Sequence, residues 1–204
     1  MVPTLAVGLS FGVLAAPVLG AVPAIVMSLV VYAGSAQFAA VGTLAAGGTA
    51  GAAIAAGLLM NARFVTMGIA VAPSLRGGRL RRGAEGQTVV DASWALASDG
   101  EGRFDRDVLV GASLPQFVGW CGGTALGVLF GSLLGDPEAL GLDAMFPAFF
   151  LALLAAELRN RRAVAAAAVA AALAVSLVPH VPAGIPVLAA SAAALIGVLR
   201  RRPA

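Results

Sequence analysis

Residues 107–134 read DVLVGASLPQFVGWCGGTALGVLFGSLL. After Asp107 no charge follows until Asp136, so the run outlasts the roughly 20 apolar residues that carry a helix across a bilayer. A helix on the surface of a soluble domain needs one polar face, and this stretch is apolar all round. Its excess length means a span that is tilted, broken or partly outside the membrane. Within it glycine recurs at every fourth position, at Gly119, Gly123, Gly127, Gly131 and Gly135. On a helix, residues four apart stack on one gently winding face, and a strip without side chains lets another backbone approach closely, as helices in lipid commonly do. The strip serves either tight helix packing or a smooth surface for sliding.

The rest of the chain matches this stretch. It is 60% hydrophobic and only 11% charged, against about 45–50% and 25% in soluble domains, and its mean hydropathy is +0.95. Too little charge is present to cover a globule, so the solvent is lipid. The apolar runs fall at 3–20, 22–46, 50–72, 107–134, 144–158, 163–179 and 185–199, with a weaker amphipathic stretch at about 87–98. The pattern predicts an all-α, polytopic membrane helical bundle of about seven hydrophobic segments, forming one transmembrane domain over residues 1–204. A membrane barrel would instead alternate apolar and polar residues in stretches of roughly ten. Segments 144–158 and 185–199 are short for a full crossing, and short or interrupted segments point toward transporter binding sites.

All thirteen basic residues are arginine, and the formal charge is +3. They gather in short clusters between apolar runs, at Arg76 to Arg82, Arg159 to Arg162 and Arg200 to Arg202, where positive-inside bias places them on the cytoplasmic side. No continuous basic face with interleaved aromatics exists, so nucleic acid is not an expected partner. If all three clusters are cytoplasmic, 87–98 enters from that side without crossing, as an interfacial or re-entrant piece. Residues 163–179 and 185–199 then form a hairpin with its outer turn at 179–184. Residues 1–20 lack the basic lead of a secretion signal and are taken as a membrane segment. The single cysteine, Cys121, excludes a disulfide framework and a cysteine metal site. No hydrolase, Walker or zinc motif occurs, so neither enzyme chemistry nor a cofactor or metal is expected.

A few polar residues stand inside the apolar runs. Arg63 is the only basic one, and near the bilayer centre it costs about 2.5–3.5 kcal/mol on insertion scales. It therefore faces protein or a water-filled cavity, either as a structural partner of an acid or backbone carbonyls, or as an anchor for a carboxylate. Asn61 lies two residues earlier. Gly34-Ser35-Ala36-Gln37-Phe38 is the second polar spot. It marks either a packing contact or a broken helix whose backbone groups line a cavity. Asp91 and Trp94 lie one turn apart on the amphipathic piece, with Asp91 a surface charge or a membrane-inserted cation partner or proton carrier. Pro115, Gln116, Trp120 and Pro147 are candidates to kink helices and line a cavity. His180, the one histidine, belongs to a solvated outer turn.

Read in order, four stretches resemble the AzlC-type branched-chain amino-acid exporter family, large subunit. They are residues 32–38 (YAGSAQF), residues 59–63 (LMNAR) running on to Ala72-Pro73, Asp91 before Trp94-Ala95-Leu96, and Trp120 with 123–124, 137–143 (PEALGLD) and 147–154 (PAFFLALL). The resemblance covers essentially the whole chain. It implies export of Leu, Ile and Val across a prokaryotic cytoplasmic membrane, driven by the proton gradient, with a small hydrophobic AzlD-type partner subunit. On that reading Arg63, or the backbone N–H groups near Ser35 and Gly34, take the substrate carboxylate. Gln37, Asn61 or freed carbonyls take the ammonium, and Asp91 is the first candidate for proton coupling. Two departures remove titratable groups: Phe64 stands where the family commonly has His, and Ala92 where it tends to carry a second acid. The chain also begins within the family's first helix. An exporter of another small metabolite and a non-transporting scaffold subunit are the alternative readings.

Overall fold

A computed structural model describes residues 2–135, 137, 139–142, 144–158, 161–181 and 185–191. Asp136, Glu138, Asp143, Arg159, Pro182 to Gly184 and everything from 192 on, including the last arginine cluster, lie outside the described residues. Among the described residues eleven α-helices follow in order: α1 (Val2–Leu19), α2 (Ala21–Val30), α3 (Gly34–Ala45), α4 (Ala50–Asn61), α5 (Arg63–Val71), α6 (Arg79–Gly86), α7 (Asp91–Ala97), α8 (Arg106–Phe130), α9 (Met145–Glu157), α10 (Arg161–Leu177) and α11 (Ile185–Ser191). The only β pairing among the described residues is an isolated bridge between Ser98 and Phe104. The described residues contain three helical stretches long and apolar enough to cross a membrane: Val2–Leu19, Ala50–Ser74 and Arg106–Leu133. The chain is a multi-pass, all-α membrane protein.

α1 and α8 run parallel and form the spine. Gly8 and Gly12 lie against the backbone at Trp120 and Thr124, while Gly123 and Gly127 lie against the backbone at Leu5, Leu9 and Val13. A methyl group at Gly127 would collide with the Leu9 carbonyl oxygen and come within 2.9 Å of the Val13 nitrogen. Gly119 is buried on the same face, and Gly131 meets the Val13 side chain. Gly135 does not belong to this ladder. It follows the helix end, at φ 76°, with open space where a side chain would stand; the 3-10 turn at Gly131–Leu133 has already ended the four-residue stacking. α8 itself continues unbroken through Pro115, so its 28 residues through Leu133 extend about 42 Å at 1.5 Å per residue.

The run 22–46 is not one interrupted span. α2 and α3 fold back on each other, with Gln37 Nε2 donating to Ser28 Oγ at 3.1 Å and Ala24 and Val41 sharing one core cluster. The reversal turns on Tyr32, the one non-glycine residue at positive φ (42°) among the described residues. α4 and α5, by contrast, continue through Ala62, whose N–H is shared between the Leu58 and Leu59 carbonyls. This tightened turn stands immediately before Arg63. α6 and α7 leave and return at one end of α8. Glu85 of α6 pairs with Arg106 at the start of α8, and Val89, Ala97, Leu109 and Val71 pack together one level further in.

Candidate functional site

Two chain reversals meet beside the middle of the α4–α5 span. From one side comes the α2–α3 turn. Its tip is fixed to α8 by the Tyr32 hydroxyl, which donates to the Ser113 carbonyl at 3.2 Å, and by the Tyr32 ring set edge-on to Phe117 at 4.9 Å. From the other side comes the α6–α7 segment. There Ser93, fully buried, accepts from the Val90 N–H at 3.1 Å and donates to the Thr88 carbonyl, which fixes where Asp91 enters α7. Irregular backbone at membrane depth is tolerated where it is buried in protein or lines a cavity, and both tips line one.

That cavity is about 60 Å³ and is walled by Thr4, Val7, Tyr32, Ala33, Gly34, Ser35, Phe64, Val90, Asp91, Ala92, Gln116 and Trp120. A water needs roughly 10–15 Å³ on this measure, so the space holds a few small polar groups. Arg63 stands behind the wall and joins its two halves. One guanidinium nitrogen, Nη2, donates to Ser35 Oγ at 2.6 Å and to Asp91 Oδ2 at 2.7 Å, and the guanidinium lies 5.2 Å from the Phe64 ring centroid. Arg63 and Asp91 are each about four-fifths buried. Arg63 lies 13 residues from Ala50 and 11 from Ser74, about 20 and 17 Å along the helix, close to mid-span.

The Ser35 side of the wall contributes a helix start. α3 opens at Gly34 with no side-chain cap, and its first closed backbone bond is from the Gln37 N–H to the Ala33 carbonyl. The N–H groups before it have no helical partner, and the positive end of the α3 dipole faces the cavity.

Of the residues the sequence singled out, the structure gathers Gly34, Ser35, Arg63, Asp91, Gln116 and Trp120. Trp120 stacks on Phe11 at 5.7 Å and forms part of the wall. It does not gather the others. Gln37 is fully buried in a chain with Ser28 and Thr124, on the α8 side of the hairpin. Its Oε1 has no hydrogen-bond partner among the described residues. Asn61 faces a separate apolar groove along α3 and α4. Trp94 packs on Phe104 at 5.0 Å in the inner cluster. Pro147 is exposed in the first turn of α9, where a proline neither kinks a helix nor reaches the cavity. Tyr32, which the sequence did not single out as a site residue, also lines the wall. Tyr32 is the chain's one tyrosine, and that rarity was the only sign the sequence carried of its role. His180 is exposed.

Phe64 and Ala92, the two positions that lack the resembling family's titratable groups, both line the cavity. Asp91 is thereby the one carboxylate among the described residues of its wall. No cluster of three or more metal-ligating side chains occurs among the described residues. Outside the membrane, Glu85 is held by Arg106, first of all, then by Arg81 and the Arg76 N–H, and its carboxyl is pulled down to about 2.

Residues 1–134 match the AzlC protein family. Among curated proteins, the inner membrane protein YgaZ of Escherichia coli (strain K12) is 28% identical over 151 residues, covering 66% of this chain and 59% of that protein. The chain thus spans under two thirds of that relative's length. No solved structure matches it.

Proposed function

Because the chain belongs to the AzlC family of membrane transport proteins, a transporter and not an enzyme class, we propose that it exports branched-chain amino acids across a prokaryotic cytoplasmic membrane. Members of the family typically pair with a small AzlD-type subunit, and we take this chain to do the same, with the proton gradient as driving force. The observation that carries the reading is the Arg63–Asp91 pair at mid-span, bound to Ser35 beside the uncapped start of α3. A structural ion pair alone does not need an adjoining cavity or an open helix end. A substrate carboxylate suits that helix end, since aligned N–H groups and the helix dipole both favour an anion there. The aliphatic and aromatic part of the wall, with Val7, Ala33, Phe64, Val90 and Trp120, suits a branched apolar side chain.

The test is efflux of labelled leucine from cells expressing the chain, with and without an AzlD-type subunit and a protonophore. The reading predicts gradient-dependent efflux that Leu, Ile and Val compete for and Lys or Glu do not. Correct membrane insertion without efflux under any pairing would overturn it.

A further inference from the structure

The charged side chain on the cavity wall is an acid. Arg63 reaches the cavity only through its partners, whereas Asp91 forms part of the surface itself. Next to Asp91, joined to it through Arg63 Nη2, the wall is the first turn of α3, with its unclosed N–H groups and the Ser35 hydroxyl. Ser35 Oγ accepts from Arg63, so its own hydrogen is available to donate to something else. The cavity therefore presents one anionic point and one donor-rich, positively polarised point, side by side on either flank of Arg63 Nη2. With Arg63 balancing Asp91, its side-chain charges sum to zero.

A zwitterion satisfies both points at once and adds no net charge. A plain carboxylic acid leaves Asp91 with Arg63 as its one ion-pair partner, and a plain amine leaves the helix start unfilled. Each also brings an uncompensated charge to mid-membrane depth, where charges are costly. We infer that Asp91 is the specificity-determining residue for the α-ammonium group. The transported amino acid sets its ammonium on Asp91 and its carboxylate on the start of α3. This rests on the transport reading above and sharpens it. The acid on the wall then binds substrate rather than serving only to carry the coupling proton.

Equilibrium binding to the purified protein with its AzlD-type subunit tests this without requiring turnover. The probes are labelled leucine, its des-amino analogue 4-methylpentanoate and its des-carboxy analogue isopentylamine, applied to wild type, Asp91→Asn and Asp91→Glu, each checked for a monodisperse elution profile. Wild type should prefer leucine over both analogues. Asp91→Asn should bind leucine roughly 10- to 100-fold more weakly, the loss of a charged hydrogen bond, and lose isopentylamine, while 4-methylpentanoate binds as well as or better than before. Asp91→Glu should recover part of the leucine affinity. If Asp91→Asn keeps wild-type leucine affinity and its preference over 4-methylpentanoate, Asp91 does not read the ammonium and this inference falls alone. If wild type binds no leucine, it falls together with the transport reading.

Discussion

Arg63 is the residue on which the site turns. It holds Ser35 and Asp91 with one nitrogen, so Arg63→Gln should abolish transport while the protein still reaches the membrane at normal levels. Ser35→Ala removes one contact of that guanidinium and leaves the ion pair, and should lower transport by roughly tenfold, about the worth of one hydrogen bond to a charged group. Tyr32 is held in a left-handed conformation that ordinarily costs about 1–3 kcal/mol. Tyr32→Phe, which loses the bond to the Ser113 carbonyl, should lower stability by about 1 kcal/mol, read as a lower thermal midpoint in detergent. Arg63 and Asp91 were legible in the sequence because charge inside or beside an apolar run is expensive and needs a reason. Their pairing was not, since they are 28 residues apart and only the fold brings them together. The same holds for Gln37 and Asn61, which are equally conspicuous as polar residues in apolar runs. Which side of a helix they face depends on how α2 and α3 reverse, and the left-handed turn at Tyr32 has no signature in residue type.

Among the elements, the α1–α8 contact sets how rigid the spine is. Gly127→Ala puts a methyl group into the backbone of Leu9 and Val13, and overpacking of this kind typically costs about 1–3 kcal/mol. Gly122→Ala, on a face with nothing within 4 Å, should be neutral, and thermal unfolding of the two variants side by side checks the contrast. The four-residue spacing made this face readable, whereas its partner was not, because Gly8 and Gly12 are only two glycines in a long apolar run. At the inner end, Glu85 ties α6 to the start of α8. Its carboxyl lies below the usual value of 4.5, at about 2. The contribution is therefore fully present above pH 4.5 and is lost as the pH falls through about 2. The unfolding midpoint of wild type should fall across that window for this reason, and Glu85→Gln should flatten that part of the pH dependence while leaving the region from pH 5 to 8 flat in both.

For the molecule as a whole, composition alone determined the class, since 11% charged residues cannot clothe a soluble globule. The count of crossings is a different matter. Hydropathy sees apolar length and not direction, so a run that reverses at mid-depth, as 22–46 does, looks the same as one that crosses. The structure brings two such reversals, entering from opposite ends, to one charged pair. That arrangement is the core of the account: a polar site at mid-span of α4–α5, held between the tips of two chain reversals, which we propose the transported substrate passes.

The most direct test is labelled leucine efflux from cells carrying wild type or Arg63→Gln with an AzlD-type subunit, normalised to the amount of protein in the membrane. The account predicts efflux from wild type and background counts from Arg63→Gln at equal membrane levels. Equal efflux from the two would contradict it, because the mid-span pair would then have no part in transport.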